Sequence, residues 1–143
     1  MRLGIGICIT LLLAGVFASP GSAGIVAEYT GAYAGTGSVV SSTWTQAQAF
    51  DVVGSPTVSE IQLPLSRWSG STGWVRVDLC PDVDGEPGSP TAGGTVMANA
   101  IKKYTQDEWI PFQWTASTLW SGRWWIVCSV TSSDAEILSL IHI

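Results

Sequence analysis

The sequence predicts an all-β domain built as an antiparallel β-sandwich. Three observations carry that expectation. Short segments alternate apolar and polar residues, the period of a half-buried strand. Clusters of Gly, Pro, Ser and Asp separate them at spacings that suit turns. No segment sustains a helical apolar period long enough to compete.

Ahead of the domain, residues 1–23 read as a helical secretory signal peptide. Arg2 supplies the positive end, Leu3 to Phe17 form an uncharged apolar run, and Ala18 and Ala23 offer small-residue cleavage points. Cleavage after Ala23 is preferred because Pro20 and Gly21 break the helix just upstream. The apolar run falls short of the roughly 20 residues of a spanning helix, so a cleaved signal is expected rather than an anchor. Cys8 follows Ile7, not the small residue that lipid attachment requires, and belongs to the apolar segment. Residues 24–43 form a Gly/Ser/Ala-rich lead-in with one weak strand near Val39 and Val40.

The sandwich itself is expected over residues 44–131. Ala47 to Val53 places Phe50 and Val52 on one face. Val58 to Leu65 turns Ile61, Leu63 and Leu65 inward and Glu60, Gln62 and Pro64 outward. Trp74 to Cys80 sets Val75, Val77 and Leu79 against Trp74, Arg76 and Asp78. A polar turn follows from Pro81 to Pro90, then strands over Thr95 to Ile101, Trp109 to Trp114 and Gly122 to Val130. Residues 132–143 are assigned to a tail.

Composition narrows the function classes. Cleavage after Ala23 leaves about 120 residues, one domain with room for a real core. The whole chain carries a net charge of −5 and removal of Arg2 makes it more negative, which excludes nucleic acid and anionic lipid as electrostatic partners. No membrane span is expected in the mature chain. The only histidine is His142, in the tail, so no Ser-His or Cys-His pair is available within the domain, and no catalytic residue is assigned.

Three groups of side chains are candidate sites. Asp82, Asp84 and Glu86 alternate oxygen ligands as Ca²⁺ favours, but the run lacks the later acidic ligand of an EF-hand. Asp84-Gly85 is equally the pair that a hairpin turn prefers. The turn is the favoured reading, with no cofactor expected and calcium the lesser alternative. Cys80 and Cys128 are the cysteines of the mature chain, in an export setting where disulfides persist. Alternation puts Cys80 with Trp74 and Arg76, and Cys128 with Trp124 and Ile126. If those strands are neighbours the sulfurs can pair; the alternative is two free thiols. Among the eight tryptophans, Trp125 and Trp114 are assigned to the core. Trp68, in a Ser/Gly loop, and Trp74 and Trp124, on outward faces, are the candidates for ligand contact.

The order of motifs resembles a known family. An Ala47-Gln48-Ala49-Phe50 strand is followed by Ile61-x-Leu-x-Leu65, Val75-Arg-Val-Asp-Leu79 and Asp84-Gly-Glu-Pro-Gly88. Next come Trp109-Ile-Pro-Phe112 and Gly122-Arg-Trp-Trp-Ile-Val127. Over Gln46 to Val130 this is similar to the jelly-roll β-sandwich modules of bacterial surface proteins known as choice-of-anchor domains. The resemblance implies a jelly-roll-like topology and an exported, non-enzymatic module, and it brings no catalytic residues. Trp124 departs from it, since the family more often has Tyr there, and the cysteine pair is not expected in the family. The family continues past Val130, so a C-terminal truncation is expected. The ending Leu138 to Ile143 resembles translated linker sequence; the alternative is a genuine short final strand.

The functional expectation is an exported, non-catalytic module for adhesion, surface display or structural interaction, located at the cell surface or secreted. A carbohydrate-binding domain is the alternative, with a glycan or cell-surface component as partner. A fragment of a secreted enzyme is the second alternative.

Overall fold

The computed structural model describes residues 38–103, 108–131 and 134–139. The segment read as a signal peptide, most of the lead-in and the last residues of the tail, His142 included, lie outside them. Among the described residues the nine strands are β1 (Ser38–Val40), β2 (Gln46–Val52), β3 (Thr57–Ser69), β4 (Trp74–Val83) and β5 (Glu86–Pro87), then β6 (Ala92–Met97), β7 (Trp109–Thr118), β8 (Gly122–Val130) and β9 (Glu136–Ser139). They form two antiparallel sheets. The first runs β1-β9-β3-β7; the second runs β2-β8-β4, with β5 and β6 both paired to β4.

The pairing is nested. β4 pairs β6, β3 pairs β7, β2 pairs β8 and β1 pairs β9, all antiparallel. The chain is therefore a two-stranded ribbon, doubled at residues 84–91 and rolled so that successive rungs fall in alternate sheets. That is the winding of a jelly roll, and the all-β sandwich expectation holds. The sheets also take in β1, at the weak strand expected within the lead-in, and β9, in the segment assigned to the tail. Ile137 of β9 and Val40 of β1 are opposite one another and fully buried.

The doubling point explains itself locally. Asp84 and Gly85 have φ of 55° and 85°, positive at both central residues of a two-residue turn. Their neighbours Val83 and Glu86 pair across it, the arrangement that Asp-Gly favours because glycine takes positive φ without strain. Asp82 holds the turn from beneath: its Oδ2 accepts the Gly85 N–H at 3.2 Å and its Oδ1 accepts the Trp125 indole N–H at 2.7 Å.

The interior has two apolar clusters. One gathers Val40, Leu63, Leu65, Val75, Val77, Ile110, Phe112, Cys128, Val130 and Ile137; the other gathers Val52, Leu79, Leu119 and Trp124. Ile61, Trp114 and Ile126 pack against both. One long side of the sandwich closes at Gly94, where a Cβ would stand 2.9 Å from the Gln113 carbonyl oxygen. Only glycine permits β6 to approach β7 so closely.

The strand bounds depart from expectation in several places, β7 among them, which runs past Trp114 to Thr118. β3 runs on past Leu65 to Ser69 and β4 past Cys80 to Val83, because each finds partners there, β9 and β5 respectively. The segment expected as a strand to Ile101 stops at Met97 and turns through a 3-10 helix at Ala98–Ala100. Ala98 donates its N–H to the Gly73 carbonyl at 3.0 Å, pinning that turn to the start of β4.

The facing of β8 is the reverse of the sequence expectation. Trp124 and Cys128 are fully buried, with Ile126 packed against both clusters, while Trp125 and Val127 lie on the outer face. β8 is flanked on both edges, and its partners set its parity. Inward Phe50 and Val52 sit opposite Trp124 and Gly122, and inward Val75, Val77 and Leu79 sit opposite Val130, Cys128 and Ile126.

Candidate functional site

The jelly roll divides its loops unequally between two ends. The β1–β2, β3–β4, β6–β7 and β8–β9 connections lie at one end, and β2–β3, β7–β8 and the β4–β6 doubling at the other. Five tryptophans are exposed, and four of them lie at or near the four-loop end. Trp44 is within the β1–β2 connection, Trp68 and Trp74 flank β3–β4, and Trp109 opens β7. Met97, exposed at the end of β6, sits directly opposite Trp74. At the other end Trp120 lies against Trp124, with ring centroids 4.4 Å apart.

The sequence-predicted contact residues fare differently. Trp74 is exposed on the outer face of the second sheet, in line with Arg76. Trp68 is also exposed, although it lies within β3, at a register shift, rather than in a loop. The two belong to different layers of the sandwich and meet only through the loop end, not on one sheet face. Trp124 is corrected outright. Its side chain has no exposed surface and its indole N–H donates to the Trp120 carbonyl at 3.0 Å, so it packs the core and offers nothing to a ligand.

The proposed disulfide is corrected as well. β4 and β8 are neighbours, but Cys128 sits opposite Val77 while Cys80 sits opposite Trp125. Three residues of offset on opposite faces of the sheet place the Cα atoms about 11 Å apart, beyond the ~7 Å reach of a disulfide. Both are buried free thiols. Burial pushes the Cys80 thiol up, and takes Cys128, sealed within the apolar core, up to about 12. Neither is a ready nucleophile.

The acidic run serves the turn. Both Asp82 oxygens accept hydrogen bonds from the protein, and Asp84 stands at the tip with positive φ. Among the described residues no group of three or more His, Cys, Asp or Glu side chains is arranged to hold a metal ion.

Two polar groupings on the sheet faces were not singled out from sequence. On the second sheet, Arg76 Nε donates to both oxygens of Asp78 at 2.9 and 2.8 Å. Asp78 is nearly buried beside Gly93, whose absent side chain leaves its carboxylate room. On the first sheet, Glu60 accepts amide N–H groups from Gln62 and Gln113, each at 2.6 Å. Those two hydrogen bonds hold its carboxyl below the ordinary range. The alternation that turns Ile110, Phe112 and Trp114 inward also turns Trp109, Pro111 and Gln113 outward, so this face was implicit in the pattern.

Among the described residues no helix is long and apolar enough to cross a membrane. No family model, curated protein or solved structure matches the chain significantly.

Proposed function

We propose that this domain is an exported, non-catalytic binding module whose contact surface is the four-loop end of the jelly roll. The observation that carries the reading is the gathering of Trp44, Trp68, Trp74 and Trp109 at or near that end, with Met97 beside Trp74. Exposed tryptophans cost solubility, yet they are the residues that most often dominate binding free energy at interfaces. The fold does not require them there, since its core is filled by other side chains.

Export belongs to the same proposal and rests on the signal-like segment at residues 1–23. So does the likeness to choice-of-anchor modules, which rests on the motif order from Gln46 to Val130 and agrees with the jelly-roll winding. The buried thiols and the paired Arg76 and Asp78 support a non-catalytic role, as none of them combines a nucleophile with a base.

The test is retention of the purified domain on a panel of bacterial cell walls. Paired variants Trp44→Ala/Trp74→Ala and Trp68→Ala/Trp109→Ala should lose retention, while Val53→Ser, at the opposite end and well exposed, should keep it. Equal retention of all three would overturn the assignment of the contact surface.

A further inference from the structure

We infer that the outer face of β3 and β7 beside Trp109 is a platform for an uncharged glycan chain. This rests on the reading of the domain as a binding module, and names both the surface and the ligand class.

The register arranges six residues as three cross-strand rows on one face. Pro64 lies opposite Trp109, Gln62 opposite Pro111, and Glu60 opposite Gln113. The first row offers an exposed indole, 44% accessible, over a strand position whose proline is already buried. The third row offers the Glu60 carboxylate, held by Gln62 and Gln113 at 2.6 Å each. From the first row to the third is about 14 Å along the strands. The face is thus apolar at one end and polar at the other.

The polar end looks set for recognition because the fold gains little from it. Glu60, Gln62 and Gln113 are long side chains at the surface, and fixing their rotamers costs entropy that solvent-exposed hydrogen bonds barely offset. Once fixed, they present a defined set. Each Glu60 oxygen accepts one amide N–H and keeps a lone pair for another donor. Each glutamine keeps its carbonyl oxygen and a second N–H.

That set selects the ligand by charge and by hydrogen-bonding type. The cluster is acidic and so is the chain, at −5, so an anionic ligand is repelled. A cation would find one carboxylate, short of the six to eight oxygens that calcium takes. A neutral molecule rich in hydroxyls supplies donors to the carboxylate and amide oxygens, and acceptors to the free N–H groups. The apolar C–H face of a sugar ring also suits the indole of Trp109. Three rows spanning this length fit a chain of several sugar units better than a single one.

Binding should be measured on the purified domain by affinity electrophoresis and calorimetry. The probes are mixed-linkage β-glucan, xylan and galactomannan, with polygalacturonate and a proline-rich decapeptide alongside. The expected result is binding to at least one neutral polysaccharide, weakened tenfold or more by Trp109→Ala and by Gln113→Ala, and unchanged by Val53→Ser. Gln113 and Gln62 are exposed, so Gln113→Ala and Gln62→Ala keep the test open if Trp109→Ala does not fold. Absence of neutral-glycan binding, binding indifferent to these substitutions, or preference for the peptide or the polyanion would each overturn the inference. If cell-wall retention still depends on Trp44 and Trp74 in that event, the binding module stands and only the glycan platform falls.

Discussion

Replacing Trp124 by alanine separates a core tryptophan from the contact residue that the sequence suggested. The side chain is fully buried against Val52, Leu79 and Leu119, and its indole N–H bonds the Trp120 carbonyl. Truncating a buried tryptophan costs about 3–5 kcal/mol in transfer and cavity terms. Losing the hydrogen bond adds ~1 kcal/mol. Trp74, about half exposed, should cost ~1–2 kcal/mol on the same area scale. With a urea m-value near ~1.5 kcal/mol/M, Trp124→Ala should lower the unfolding midpoint by about 3 M and Trp74→Ala by about 1 M. Far-UV circular dichroism is the appropriate probe, because the substitutions themselves change tryptophan fluorescence. Should Trp124→Ala fail to fold, Trp124→Phe retains most of the volume, loses the N–H, and should cost ~1–2 kcal/mol. A Trp124→Ala midpoint no lower than that of Trp74→Ala would refute the inward facing of β8.

Gly70 has φ of +63° and a Cβ there would overlap the Asp134 carbonyl oxygen, so Gly70→Ala should lower the melting temperature by on the order of 10 °C. Both thiols should resist iodoacetamide in native protein, and both should react in urea without reductant; an unreactive unfolded chain would restore the disulfide. Glu60 has a folded pKa below its unfolded one, so its hydrogen bonds stabilise the fold above the ordinary value of 4.5 and that contribution is lost as pH falls through the lower folded value. A carboxyl NMR titration should place its midpoint below 4.5 in the wild type and higher in Gln113→Ala.

Much of this architecture was legible because antiparallel strands with one wet face write a period of two into the chain. β4 shows it plainly: Val75, Val77 and Leu79 are all buried, as their spacing required. The Asp84-Gly85 turn was equally readable, since few residue pairs accept positive φ twice in succession. β8 was not readable in facing, although its bounds were. Trp124 to Cys128 is apolar on both faces, and there alternation carries no information; the weak signal lay at the ends, where the polar Arg123 and Ser129 share the face of Trp125 and Val127. The parity of β8 came from its partners, and the error passed on to Trp124 and to the cysteine pair.

By itself the sequence determined the fold class, the position of most strands, the main turn and the acidic, tryptophan-rich surface chemistry. These depend on local pattern and composition. Only the tertiary structure decided which strands pair, and every pair in the nested ribbon except the one at its doubling joins segments far apart in the chain. That pairing gathers Trp44, Trp68, Trp74 and Trp109 at or near one end, puts Glu60 opposite Gln113, and separates Cys80 from Cys128 by three residues and a face. Register between distant strands is set by how all the inward side chains pack at once, a condition that no single segment carries.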